Sequence, residues 1–134
     1  MRITKVTIIR KTSPLNQNIN DLLLRFGESL GLFSSRDKDK SCYRIFIVLL
    51  KALKLNIELT SDELADKTKL TRGTIIHHLN HLIEAGIVTS ERGKYFLNVR
   101  NLEDLVSQMR DNVNAVFDDI QVLAQKIDDV LELN

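Results

Sequence analysis

The stretch that decides the fold is Thr60 to Phe96, TSDELADKTKL-TRGTIIHHLN-HLIEAGIVTS-ERGKYF. It opens on Thr60-Ser61-Asp62-Glu63, a capping box: the Thr60 hydroxyl can accept the orphan amide of Glu63, and the Glu63 carboxylate can reach back to Thr60. The short helix that follows ends at Lys69-Leu70-Thr71, a turn that finishes on a fresh N-cap. A second helix then runs from Thr71, with Ile75, Leu79 and Leu82 as its buried row and Gly86 as its stop. IVTS, ERGK and YFLNVR read as strand, tight turn and strand, with Gly93 where a left-handed residue is needed. Helix, turn, helix and basic-tipped hairpin in this order form a winged helix-turn-helix.

The second helix carries the functional argument. At 100° per residue, Leu79 and Leu82 fall within about 40° of Ile75, and Gly73, Thr74, His77, Asn80, His81 and Glu84 fall on the opposite half. Arg72 stands in the first turn, where a long side chain can reach a phosphate. Thr71, beside the free amides of that turn, suits a phosphate contact. Thr74, His77, Asn80 and His81 have the length and hydrogen-bonding groups to read base edges in a major groove. His78, at the edge of the buried row, is mainly structural while remaining within the interface. Gly73 costs about 1 kcal/mol of helix stability against Ala; close approach of DNA to the backbone and simple tolerance in a first turn both account for it. Arg92 and Lys94, flanking Gly93, are expected on the backbone or in the minor groove. DNA-contacting residues are therefore expected to be Thr71, Arg72, Gly73, Thr74, His77, His78, Asn80, His81, Arg92 and Lys94.

The stretch LTRGTIIHHLNHLIEAGIV, Leu70 to Val88, resembles the recognition helix of the ArsR-like winged-helix family. The matching elements are Thr71, Thr74, His77-His78-Leu79, Leu82 and Glu84-Ala85-Gly86-Ile87-Val88. The resemblance extends over about Cys42 to Val99 and implies a dimer that binds operator DNA. The metal-sensing members carry paired cysteines on the helix before the recognition helix. Ser61 to Thr68 has none, so soft-metal sensing is not implied. Residues 2–31 have no counterpart in the minimal family pattern.

Composition narrows the class. Residues 1–100 hold 17 Lys and Arg against 10 Asp and Glu, and residues 101–134 hold 2 against 8. A basic body joined to an acidic segment fits a polyanion-binding domain with a separate element. The single cysteine, Cys42, permits no intramolecular disulfide, and a reducing cytoplasm is the simplest setting. The N-terminal MRITKVTIIRK has too short an apolar run for a signal peptide. The apolar run Ile45 to Leu50 is bracketed by Arg44 and Lys51, so no membrane partner is expected. No P-loop, GxSxG, HExxH or GxGxxG occurs, and an enzyme is not expected. His77, His81 and Glu84 converge on one face, but a metal there would occupy the groove-facing surface; no metal and no cofactor is expected.

Upstream, residues 2–10 are rich in Ile, Val and Thr and read as a strand. Ser13-Pro14 resembles a helix start, with the Asn-rich stretch favouring a beginning nearer Asn20; Leu15, Ile19, Leu22, Leu23, Phe26 and Leu30 form its stripe and Gly31 its end. Ser34 to Lys40 reads as a linker. A helix from about Lys40 to Leu53 buries Cys42, Ile45, Phe46, Leu49 and Leu53, with Cys42 a small buried hydrophobe.

Downstream, Leu102 to Val130 is one long helix. Leu102, Val106, Met109, Val113, Val116, Ile120, Leu123, Ile127 and Val130 step alternately by four and three, a sustained heptad seam; Phe117, Ala124 and Leu131 widen it beyond a two-stranded seam, which suggests a bundle with the helix of residues 15–30 from either chain alongside. β-Branched residues at Val106, Val113, Ile120 and Ile127 favour two strands in a parallel pair, and the helix is expected to dimerise the chain. The fold class is mainly α with a small β-hairpin: a winged helix-turn-helix (37–100) with an added N-terminal strand and helix (1–36) and a long C-terminal dimerisation helix (101–134). The function expected is sequence-specific DNA binding by a homodimeric transcription regulator, with double-stranded DNA and a second copy as partners and any small-molecule effector unidentified. The alternative is a winged-helix scaffold for protein–protein contact without specific DNA binding.

Overall fold

The computed structural model describes residues 5–11, 18–34 and 37–134. The first helix, α1 (Ile19–Ser29), is capped by Asn18, whose side chain accepts the Asn20 N–H at 2.8 Å. It therefore starts at the later of the two expected sites; Ser13-Pro14 and Leu15 lie outside the described residues, and Ile19, expected on the stripe, is 65% exposed in the first turn. Gly31, at φ +70°, turns the chain away from its end.

The strand expected over residues 2–10 is not found: residues 5–10 have no regular secondary structure, and residues 1–4 lie outside the described residues. Instead the Lys5 N–H donates to the Glu84 carbonyl at 3.2 Å and the Ile9 N–H to the Ser29 carbonyl at 2.8 Å. Both acceptors sit in the last turns of helices, where carbonyls lack an intrahelical donor.

Helix α2 (Ser41–Leu55) buries Cys42, Ile45, Phe46, Leu49 and Ala52. It ends at Asn56, in the left-handed region at φ 59°. Strand β1 (Leu59–Thr60) leads directly into α3 (Ser61–Thr68). The capping box is complete: the Thr60 hydroxyl accepts the Glu63 N–H at 3.1 Å, and the Glu63 carboxylate accepts the Thr60 N–H at 2.9 Å. Helix α4 (Arg72–Glu84) follows the turn, and Gly86, at φ +78°, stops it.

Strands β2 (Thr89–Glu91) and β3 (Lys94–Phe96) form the wing. Arg92 and Gly93 both have positive φ, +54° and +76°, as a two-residue hairpin of primed type requires. The sheet has three strands in the order β1-β3-β2, all antiparallel. Tyr95 pairs with Leu59 on one side and Ser90 on the other, which anchors the wing to the start of α3.

One core runs through the molecule. Leu32 and Phe33 join Phe46, Leu49, Leu64, Ile75, Leu79, Leu82, Val88 and Leu97 in it, and Leu105 and Met109 of the last helix, α5 (Leu102–Leu131), enter from the other side. Each fully buried aliphatic side chain contributes about 1.5–3 kcal/mol. The seam of α5 is thus divided. Met109 is buried in the chain's own core, and Leu102 packs against it in part. Ile120, Leu123, Ile127 and Val130 stand 51–81% exposed.

Candidate nucleic-acid interface

Thr71 caps α4: its hydroxyl accepts the Thr74 N–H at 3.2 Å and donates to the Thr74 hydroxyl at 2.9 Å. That bond turns Thr74 back along the helix start and leaves it half-buried. Gly73, His77, Asn80 and Glu84 are exposed along one row, Arg72 is exposed beside it in the first turn, and His78 and His81 are half-buried. Of the polar half expected from helical projection, the centre is therefore open, and the flank bearing Thr74 and His81 is partly covered.

The N-terminal segment faces the histidines of this helix across a cavity. A cavity of about 410 Å³ lies between Thr7 and Ile9 on one side and His77, His78 and His81 on the other, with Cys42 and Asp37 in its wall. The His77 and His78 rings meet edge-on, with centroids 5.3 Å apart. Burial holds the His78 pKa below its ordinary value; the neighbouring His77 and His81 act in the same sense, and Asp37 and Asp39 oppose them. His78 is thus the most structural of the three histidines, in keeping with its place beside the buried row. Burial, with Asp37 nearby, pushes the Cys42 thiol up to about 12, so it stays protonated at neutral pH. Among the described residues, no three His, Cys, Asp or Glu side chains converge as a metal ion requires.

Gly73 has open space where a Cβ would stand: among the described residues, and apart from its chain neighbours and the backbone of its own helix, no heavy atom lies within 4 Å. Its lack of a side chain answers no packing demand of the chain itself. Arg72 approaches Asp62 at 3.9 Å, but both are largely exposed, and so weak a pair leaves the guanidinium available to another anion. Asp62 as a neighbour of Arg72 was not foreseen from the sequence; its place in the first turn of α3 was the available signal. At the wing, Arg92, Gly93 and Lys94 are exposed. Lys94 pairs with Glu91 across the hairpin and with Thr60 of β1, so the base of the basic tip is tied to the cap of α3.

Among curated proteins none matches the chain. A solved structure described as ligand-free NadR is 20% identical, with 86% of this chain and 98% of that chain covered, at a TM-score of 0.39. The family model of the bacterial regulatory proteins of the arsR family matches residues 48–90, the span from the middle of α2 to the middle of β2. Residues 48–90, which contain the helix-turn-helix, are thus similar in sequence to the bacterial regulatory proteins of the arsR family.

Proposed function

We propose that the protein is a homodimeric, sequence-specific DNA-binding regulator of transcription, working in the cytoplasm without catalytic activity. Helix α4 enters the major groove with Gly73, His77 and Asn80 towards the base edges and Thr71 and Arg72 on phosphate; Thr74, His78 and His81 support the covered flank. Arg92 and Lys94 of the wing hold the backbone or minor groove. The three units at 1–36, 37–100 and 101–134 serve as cover, reader and coupler. The observation that carries this reading is the open centre of α4: an exposed polar row around a glycine that no other described side chain crowds.

The test is titration of labelled duplex DNA at several salt concentrations. Affinity falls steeply with salt, because each neutralised phosphate releases counterions. Arg92→Ala weakens binding to all sequences and lowers the salt slope by about 1. His77→Ala instead changes sequence preference. Weak binding that is indifferent to sequence and to Arg92 contradicts the proposal and favours a protein-binding scaffold.

A further inference from the structure

The face of α5 beyond Val113 bears Val116, Phe117, Ile120, Leu123, Ile127, Val130 and Leu131, from 39% to 81% exposed. Ala124 completes the stripe and is also exposed. A stripe this regular, on a helix with no break, is built to be covered.

Resting on the homodimeric reading, we propose that a second copy covers it in antiparallel orientation, in one register, with Ile120 opposite Leu123 of the partner subunit. The flanking charges carry the choice. Between Val113 and Leu131 the positions beside the seam are Phe117, Asp119, Ala124, Lys126 and Leu131, and only Asp119 and Lys126 are charged. Among the described residues, neither forms an ion pair within its own chain.

In an antiparallel pair, positions before the seam on one helix meet the same class of position on the other. With Ile120 opposite the partner's Leu123, Asp119 meets the partner's Lys126, and twofold symmetry repeats the contact. Phe117 meets the partner's Ala124, a large side chain against a small one. Sliding by one heptad in one direction sets Asp119 against the partner's Asp119. Sliding in the other sets Lys126 against the partner's Lys126. In a parallel pair, Asp119 faces the partner's Ala124 and Lys126 faces the partner's Leu131, so neither charge finds an opposite. Seam layers then run Val113 to the partner's Val130, Val116 to the partner's Ile127, and Ile120 to the partner's Leu123, which uses the whole exposed stripe. The two bodies come to lie at opposite ends of the helix pair.

Cysteine placement in the full-length protein tests this, since the wild type has only the buried Cys42. In the proposed register, Val130 and the partner's Val130 are 17 residues apart along the axis, about 25 Å at the helical rise. The same holds for Val113 and the partner's Val113. A disulfide needs Cα atoms about 4.4–6.8 Å apart. On mild oxidation Val113→Cys and Val130→Cys, each alone, therefore give no covalent dimer, whereas the variant carrying both does. Covalent dimer from Val130→Cys alone establishes parallel pairing and overturns the proposal; absence of cross-linking in the doubly substituted dimer overturns the register. In sedimentation at low salt, Lys126→Asp weakens the dimer about tenfold and Asp119→Lys with Lys126→Asp restores it. Failure of that rescue also overturns the register. A wild type that sediments as a monomer at all concentrations removes the homodimer itself, an outcome distinct from a dimer of the wrong orientation.

Discussion

Thr71 and Thr74 are joined twice at the start of α4, backbone N–H to hydroxyl at 3.2 Å and hydroxyl to hydroxyl at 2.9 Å. The helix that is proposed to read DNA therefore begins with its first turn already fastened. Thr71→Ala removes the cap and costs about 1 kcal/mol, a fall of about 3 °C in midpoint for a chain of this size. Thr71→Ser keeps the hydroxyl and the midpoint. Thermal unfolding followed by circular dichroism compares the two.

Gly73 separates stability from binding. A Cβ there meets open space, and the residue is helical. Gly73→Ala is expected to stabilise the fold by about 0.5–1 kcal/mol through the helix preference for Ala, while lowering duplex affinity because the methyl group stands on the open row. Denaturant unfolding and DNA titration of the same variant check both signs. A gain in stability with unchanged affinity places the DNA elsewhere.

Gly27 gives the opposite case. A Cβ at Gly27 comes within 2.7 Å of the Tyr43 ring and 3.1 Å of the Phe33 ring, so α1 lies close against α2 at this point. Gly27→Ala is expected to destabilise by about 1–3 kcal/mol through overpacking, outweighing the helical preference for Ala. Adding Tyr43→Ala relieves the clash and recovers part of the loss. Chemical denaturation of the single and double variants measures the recovery.

These contrasts show what the sequence could convey. The capping box at Thr60 and Glu63, the Thr71 cap, the Gly86 stop and the Arg92-Gly93 turn are local devices, each complete within a few residues, and the structure contains all of them. Strand β1 was not legible: Leu59–Thr60 is too short to show alternation, and Thr60 serves at once as strand end and helix cap. The expected strand at 2–10 had the composition of a strand, but within it Lys5 and Ile9 donate to the carbonyls at the ends of two helices instead, a choice held only by the tertiary arrangement. Periodicity showed the α5 seam but not its division, because heptad spacing is the same whether Met109 meets its own core or Ile120 stands open to solvent. At the candidate site, the exposed row was legible from helical projection, whereas the cavity that His78 and His81 share with Thr7 and Ile9 brings together residues more than 60 apart in sequence.

The covered histidine predicts a pH dependence. Burial lowers the His78 pKa in the folded chain, so as pH falls the unfolded chain takes up the proton first. The stability from neutral His78 is present above the unfolded value of about 6.5 and is lost as pH falls through the lower folded value. His78→Gln is therefore expected to lose less stability than the wild type on acidification below about pH 6.5. Midpoints recorded across that range check the slope, and equal slopes show that His78 is solvated.

The central claim is that the open face of α4 reads a sequence in duplex DNA, and selection of bound fragments from a random duplex pool tests it most directly. The account predicts enrichment of a twofold-symmetric consensus, with the preference at one or more positions changed by His77→Ala. A pool that returns without any enriched motif, after retention on the wild-type protein at low salt, contradicts it.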